Sequence, residues 1–225
     1  MKVVGLVELS GAGATAGTVV TTGTWCAYND WGGSNHYQGL TGPEGRDFAA
    51  RVSLLRPWAR GFVRWPEGAP RIPHASPLLE KPRYPHMEFA RANGVSKKYA
   101  SSGWAAFERP FALWCEAQGI ALDYATQHDL HREAGLLDGH ERALIVGHDE
   151  YWSLEMYQHA RRAIDAGANA AFFCGNSVDG VLDIRSGKSG AANRTHCSKL
   201  TPARARMAIS APSVGMICPM TPGPY

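Results

Sequence analysis

The stretch that decides the fold is Ala143-Leu144-Ile145-Val146-Gly147-His148-Asp149-Glu150-Tyr151-Trp152-Ser153, together with the segment that follows it to Cys174. Ala143 to Val146 is a short apolar run that reads as a buried strand. Ser153 then caps a predicted helix over 153–166. Its inner stripe is Met156, Ala160, Ala163 and Ile164, with Trp152 and Tyr157 placed as a hydrophobic staple and Gly167 as the stop. Asn169 to Cys174 reads as the next strand. A strand, a helix and a second strand in this order are the unit of a parallel sheet flanked by helices.

The same alternation continues outward. Trp104 to Gly119 reads as a helix whose apolar positions are Phe107, Phe111, Trp114 and Cys115, and Ile120 to Thr126 as a strand. Thr18 to Trp25, rich in β-branched residues, is predicted to be a further strand. Residues 39 to 103 hold Pro43, Pro57, Pro66, Pro70, Pro73, Pro77, Pro82 and Pro85, which interrupt regular elements and predict a long irregular insertion. A loop of that length in a compact domain is usually functional.

Composition narrows the class. The chain has 225 residues, of which 44% are hydrophobic and 19% charged, enough apolar material for one domain-sized core. No apolar run approaches the roughly 20 residues of a membrane span. Glu8 interrupts Val3 to Val7 before a secretion signal could form, so the expected location is cytoplasmic. Five cysteines, Cys26, Cys115, Cys174, Cys197 and Cys218, show no C-x-x-C pair and read as reduced thiols.

Charge and aromatics are unevenly spread. No Asp or Glu follows Asp183, whereas Arg185, Lys188, Arg194, Lys199, Arg204 and Arg206 do, so the basic character resides in the tail. The mildly acidic body gives no electrostatic footprint for nucleic acid. Of all Phe, Tyr and Trp residues only Tyr225 follows Asn176, and residues 177–225 are therefore expected to form a divergent, disordered tail behind a 1–176 domain.

In a parallel α/β sheet, ligands lie beyond the carboxyl ends of the strands. Four polar stretches stand there: Ala27 to Gly33, Gln127 to Asp129, Gly147 to Trp152, and Gly175-Asn176. If Gly147 to Glu150 stays extended, alternation puts His148 and Glu150 on one side. A structural reading competes for each: Glu150 beside a helix N-terminus, His148 in a structural hydrogen bond, Tyr28 in an aromatic wall beside turn-forming Asn29, His128 and Asp129 in a helix cap. Cys174 lacks the G-x-[SC]-x-G nucleophile signature and reads as a small packing residue.

Three motifs carry a resemblance. They are Thr24-Trp25-Cys26-Ala27-Tyr28-Asn29-Asp30-Trp31-Gly32-Gly33, Asp123-Tyr124-Ala125-Thr126-Gln127-His128-Asp129-Leu130 and Val146-Gly147-His148-Asp149-Glu150-Tyr151-Trp152-Ser153, closed by Phe173-Cys174-Gly175-Asn176. Their order and spacing resemble the C-terminal catalytic domain of the large (beta) subunit of N,N-dimethylformamidase and its relatives, from about residue 22 to 176. The resemblance implies an amide hydrolase with a mononuclear Fe3+ site held by two tyrosine phenolates and a glutamate. It maps Tyr28 and Glu150 to metal ligands and His148 to a neighbouring proton-transfer residue, and it makes Glu150 part of the catalytic set. The second phenolate is expected in the 39–103 insertion. There Arg56-Pro57-Trp58 carries a Trp, which leaves Tyr84 as the candidate.

The expected architecture is an α/β three-layer sandwich of the glutamine-amidotransferase or flavodoxin-like kind with a mainly parallel sheet. The expected reaction is hydrolysis of a small N-substituted amide to amine and carboxylate. By resemblance, a small subunit and a homo-oligomer are the expected partners, with neither nucleic acid nor membrane involved. A catalytically silent binding or assembly domain is the alternative reading.

Overall fold

A computed structural model describes residues 16–37, 49, 51–71, 85–186 and 195–199. Four strands, β1 (Ala16–Val20), β3 (Leu122–Thr126), β4 (Arg142–His148) and β6 (Asn169–Gly175), form a parallel sheet in the order β3-β1-β4-β6. β1 pairs with β3 from Ala16↔Leu122 to Val20↔Thr126, and β4 with β6 from Arg142↔Asn169 to His148↔Gly175. All four strands run the same way, so their carboxyl ends lie along one edge. The expected parallel α/β fold is what forms.

Helix α5 (Leu154–Asp165) is the crossover between β4 and β6. Ser153 Oγ accepts from the Met156 amide at 3.2 Å, as a cap should, and Gly167 ends the helix at φ +106. Met156, Ala160 and Ala163 are buried against Val19, Ala143 and Ile145. Two details differ from expectation. Ile164 and Tyr157 are exposed rather than part of the inner stripe and the staple, because the alanines let the helix seat closely on the sheet and turn these larger side chains outward.

The segment expected to be one strand over 18–25 divides. β1 stops at Val20, and Thr22–Tyr28 forms helix α1. The turn is fixed by Glu108, whose Oε1 accepts from Thr21 Oγ1 at 2.7 Å and from Trp25 Nε1 at 3.0 Å. Gly23 is required in α1, since a Cβ there would lie 2.5 Å from the Tyr151 carbonyl oxygen. Glu108 also explains the second correction. Helix α3 spans Glu108–Ala117 and buries Glu108, Ala112 and Cys115. With the carboxylate turned inward, Trp114 is 54% exposed and stacks with Phe111 on the outside.

A second, smaller sheet has the order β2-β8-β7-β5, from β2 (Arg51–Ser53), β8 (Thr195–Lys199), β7 (Gly180–Ser186) and β5 (Tyr151–Trp152). β7 and β8 are antiparallel, and β5 pairs in parallel with β7. Residues 180–186 and 195–199, expected within the disordered tail from residue 177, form β7 and β8 instead, and Leu182 is buried with Tyr151, Cys26 and Val52. The rest of that tail lies outside the described residues, as do residues 39–48, 50 and 72–84 of the irregular insertion. Within the insertion, Pro85–Asn93 forms helix α2, with proline tolerated at its first position. The remaining helix, α4 (Gln127–Arg132), follows β3 directly. Among the described residues no helix is long and apolar enough to cross a membrane.

Candidate metal centre

The site forms where β4 ends. Gly147 has φ +104 and lies against Phe107, where a Cβ would sit 2.6 Å from the phenylalanine Cβ. Beyond it, alternate side chains part. Asp149 turns into the core, where its Oδ1 accepts from Gln127 Nε2 at 2.7 Å and Trp152 Nε1 at 2.8 Å. His148 and Glu150 turn the other way together, Nε2 to Oε2 at 3.3 Å, as alternation predicts. Burial pushes the Asp149 carboxyl up to about 7 despite its two donors.

Glu150 is the hub. Tyr28 OH donates to its Oε2 at 2.8 Å and Tyr37 OH to its Oε1 at 2.5 Å, while the hydroxyls of Tyr37 and Tyr151 also touch. The rings of Tyr28 and Tyr37 lie 4.5 Å apart, and the Tyr28 ring is 5.0 Å from that of His148. Burial opposes ionisation of Glu150, but the donors from His148, Tyr37, Tyr28 and Tyr151 outweigh it and hold the carboxyl at about 2. For the phenols the balance is reversed: burial first, and the adjacent carboxylate as well, holds Tyr28, Tyr37 and Tyr151 protonated well above the ordinary tyrosine range.

His148 is oriented by a backbone acceptor. Its Nδ1 lies 2.7 Å from the Ser101 carbonyl oxygen, which can only accept, so Nδ1 carries a proton. Nε2 is thereby directed at Glu150. Burial lowers the imidazole, but the hydrogen bonds to Glu150 and Ser101 more than compensate and raise it above its ordinary value.

Two asparagines shape the loop that carries the tyrosines. Asn29 Oδ1 accepts from the amides of Trp31 and Ala59, both at 3.1 Å, and its Nδ2 donates to the Pro57 carbonyl at 2.9 Å. Asn35 Nδ2 donates to the Tyr28 carbonyl at 2.9 Å and its Oδ1 accepts from the Tyr37 amide at 2.8 Å. Asn35 therefore ties one tyrosine to the other. Arg56 adds hydrogen bonds to the carbonyls of Ser34 and Cys26 at 2.8 and 3.2 Å.

Of the residues singled out in the sequence, Tyr28, His148 and Glu150 converge, and Tyr84 lies outside the described residues. Tyr37, just before the insertion, is the phenol that sequence reasoning passed over. Its signal was its place between turn-forming Asn35 and the insertion, in the stretch that opens at Tyr28. The expected cap forms in part: Thr126 and Asp129 form a reciprocal capping box on α4, whereas His128 takes no part in it and bonds Thr22 Oγ1 at 2.8 Å. Cys174 Sγ lies 2.9 Å from Ser177 Oγ. Among the described residues, no group of three or more His, Cys, Asp or Glu is placed to hold a metal. The oxygen-rich set around Glu150 is instead tyrosine-based, the kind of donor set that hard cations prefer.

Comparison with protein families matches residues 6–211 to the family described as N,N-dimethylformamidase beta subunit-like, C-terminal. The chain belongs to this family. The match to the N,N-dimethylformamidase beta subunit-like family extends past Asn176 and includes β7 and β8, so the likeness is not confined to residues 22–176. Comparison with the curated proteins gives no match.

Proposed function

We propose that this N,N-dimethylformamidase-like domain hydrolyses a small N-substituted amide at a ferric centre held by Tyr28, Tyr37 and Glu150. The observation that carries the reading is the convergence of two phenol oxygens on one carboxylate, at 2.8 and 2.5 Å. These oxygens are hard donors, and two phenolates with one carboxylate match the charge of a trivalent cation. The phenols hold their protons in the structure described here, so loading the site must release them. Ferric iron bound there would supply Lewis acidity, polarising an amide carbonyl and acidifying water.

The chain's own residues supply the rest. Glu150 and the tyrosines bind and orient; His148 Nε2 moves the proton. As water adds to the acyl carbon and the C–N bond breaks, the amine leaves poorly unless it is protonated. Nε2 is the ring nitrogen left for that task, since Nδ1 is engaged by Ser101. The family description also names a beta subunit, which supports assembly with a partner subunit.

The test is metal analysis with an amine-release assay. Purified protein loaded with ferric iron is expected to show a phenolate-to-iron absorption band and to release amine from simple formamides. Tyr28→Phe and Glu150→Ala are expected to lose iron while keeping a cooperative fold. Full iron occupancy in either variant would refute the assignment.

A further inference from the structure

The turn that orients His148 also presents a cation that the scheme above leaves unused. Lys98 lies in the 96–102 turn, where Ser96 Oγ accepts from the Lys98 amide at 3.0 Å. The amides of Ser101 and Ser102 donate to the Lys98 carbonyl at 2.9 and 3.1 Å. Fully buried Tyr99 anchors this turn, edge-on to Trp65 with its hydroxyl on the Pro70 carbonyl at 3.3 Å. The backbone beneath Lys98 is therefore fixed, and its side chain reaches over the phenol pair. Nζ lies 5.2 Å from the centre of the Tyr28 ring and 5.5 Å from that of Tyr37.

The Lys98 ammonium makes no hydrogen bond or ion pair among the described residues. Three N–H donors at a half-buried position without an acceptor carry a desolvation cost, and the ring faces offset only part of it. Charge points the same way. Two phenolates and Glu150 match a trivalent cation, which leaves Asp30 as the carboxylate acting on Lys98 from outside that set, and it makes no ion pair with the ammonium. An oxygen atom bearing negative charge satisfies both conditions.

We infer that Lys98 is the site's contact for the acyl oxygen, donating a hydrogen bond to the substrate's carbonyl oxygen as negative charge builds there and then to the carboxylate product. The inference rests on the hydrolase reading above, which makes a carboxylic acid the product. No bond to Lys98 forms or breaks. It predicts a receptor for small carboxylates at a place where the neutral substrate alone would not require one.

The experiment titrates 13C-labelled acetate into the purified protein, before and after ferric loading, and compares it with Lys98→Met and Lys98→Arg. Iron content is measured on every sample. Lys98→Met is expected to weaken acetate binding at least tenfold, and Lys98→Arg, which retains the charge, to restore most of it, with iron content unchanged in both. Equal affinity in the unmutated protein and Lys98→Met overturns the inference, as does a failure of Lys98→Arg to restore binding, or no acetate binding at all. Iron lost from Lys98→Met with acetate affinity unchanged also overturns it, since Lys98 would then only balance the charge of the ligands. If the unmutated protein takes up no iron but its acetate binding still depends on Lys98, the iron reading fails and the acyl-oxygen contact stands.

Discussion

His148 and Ser101, 47 residues apart in sequence, are joined by a hydrogen bond from the imidazole Nδ1 to the backbone carbonyl oxygen at 2.7 Å. A carbonyl has no proton to give, so this one contact fixes which ring nitrogen faces Glu150. On the proposed ferric reading, His148 carries a proton and is not a ligand. His148→Asn is expected to keep iron and to lose amide hydrolysis by about 10²–10⁴-fold, the usual scale of general acid–base catalysis. Iron content and amine release on the same sample check it. Loss of iron would make His148 a ligand, and unchanged turnover would make it structural.

On the proposed ferric reading, Tyr37 and Tyr84 compete for the second phenolate. Tyr37 donates to Glu150 at 2.5 Å, so Tyr37→Phe is expected to abolish the phenolate-to-iron band or shift it strongly, whereas Tyr84→Phe leaves both band and iron content unchanged. The reverse result would return the assignment to the insertion.

Glu108 is buried with Oε2 lacking a hydrogen-bond partner among the described residues, and burial raises its carboxyl from 4.5 to about 7. Between those values the folded chain keeps a proton that the unfolded chain gives up. The stabilisation is therefore complete below 4.5 and is lost as pH rises through 7, by up to about 1.4 kcal/mol per pH unit. Glu108→Gln keeps an acceptor for Thr21 and Trp25 and cannot ionise. Urea melts from pH 5 to 8 should show a flatter profile in the variant, with the share from Asp149 remaining.

Ser153 caps the helix that follows the site, through the 3.2 Å bond from the Met156 amide, and His131 Nδ1 also lies 2.8 Å from its hydroxyl. Ser153→Ala is expected to destabilise the fold by about 0.5–2 kcal/mol. Urea denaturation measures it, and a change of zero would mean that the cap contributes nothing.

The sequence by itself determined the parts governed by short-range pattern. The buried run Ala143–Val146, the stripe on α5 and the stop at Gly167 specify a strand–helix–strand unit, because each depends on neighbours within a few residues. Alternation along an extended chain likewise put His148 and Glu150 on one side, and the motifs around Tyr28 and Glu150 marked the family. Only the tertiary structure decided the rest. The helix at Thr22–Tyr28 replaces a strand because Glu108, 87 residues from Thr21 and 83 from Trp25, accepts their hydrogen bonds. That inward carboxylate also turned Trp114 out to solvent. Tyr37 reaches Glu150 across 113 residues because Asn35 ties its amide to the Tyr28 carbonyl. Lys98 reaches both phenol rings because buried Tyr99 anchors its turn. Such meetings depend on the path of the intervening chain, which side-chain bonds to distant backbone groups fix and no local periodicity encodes.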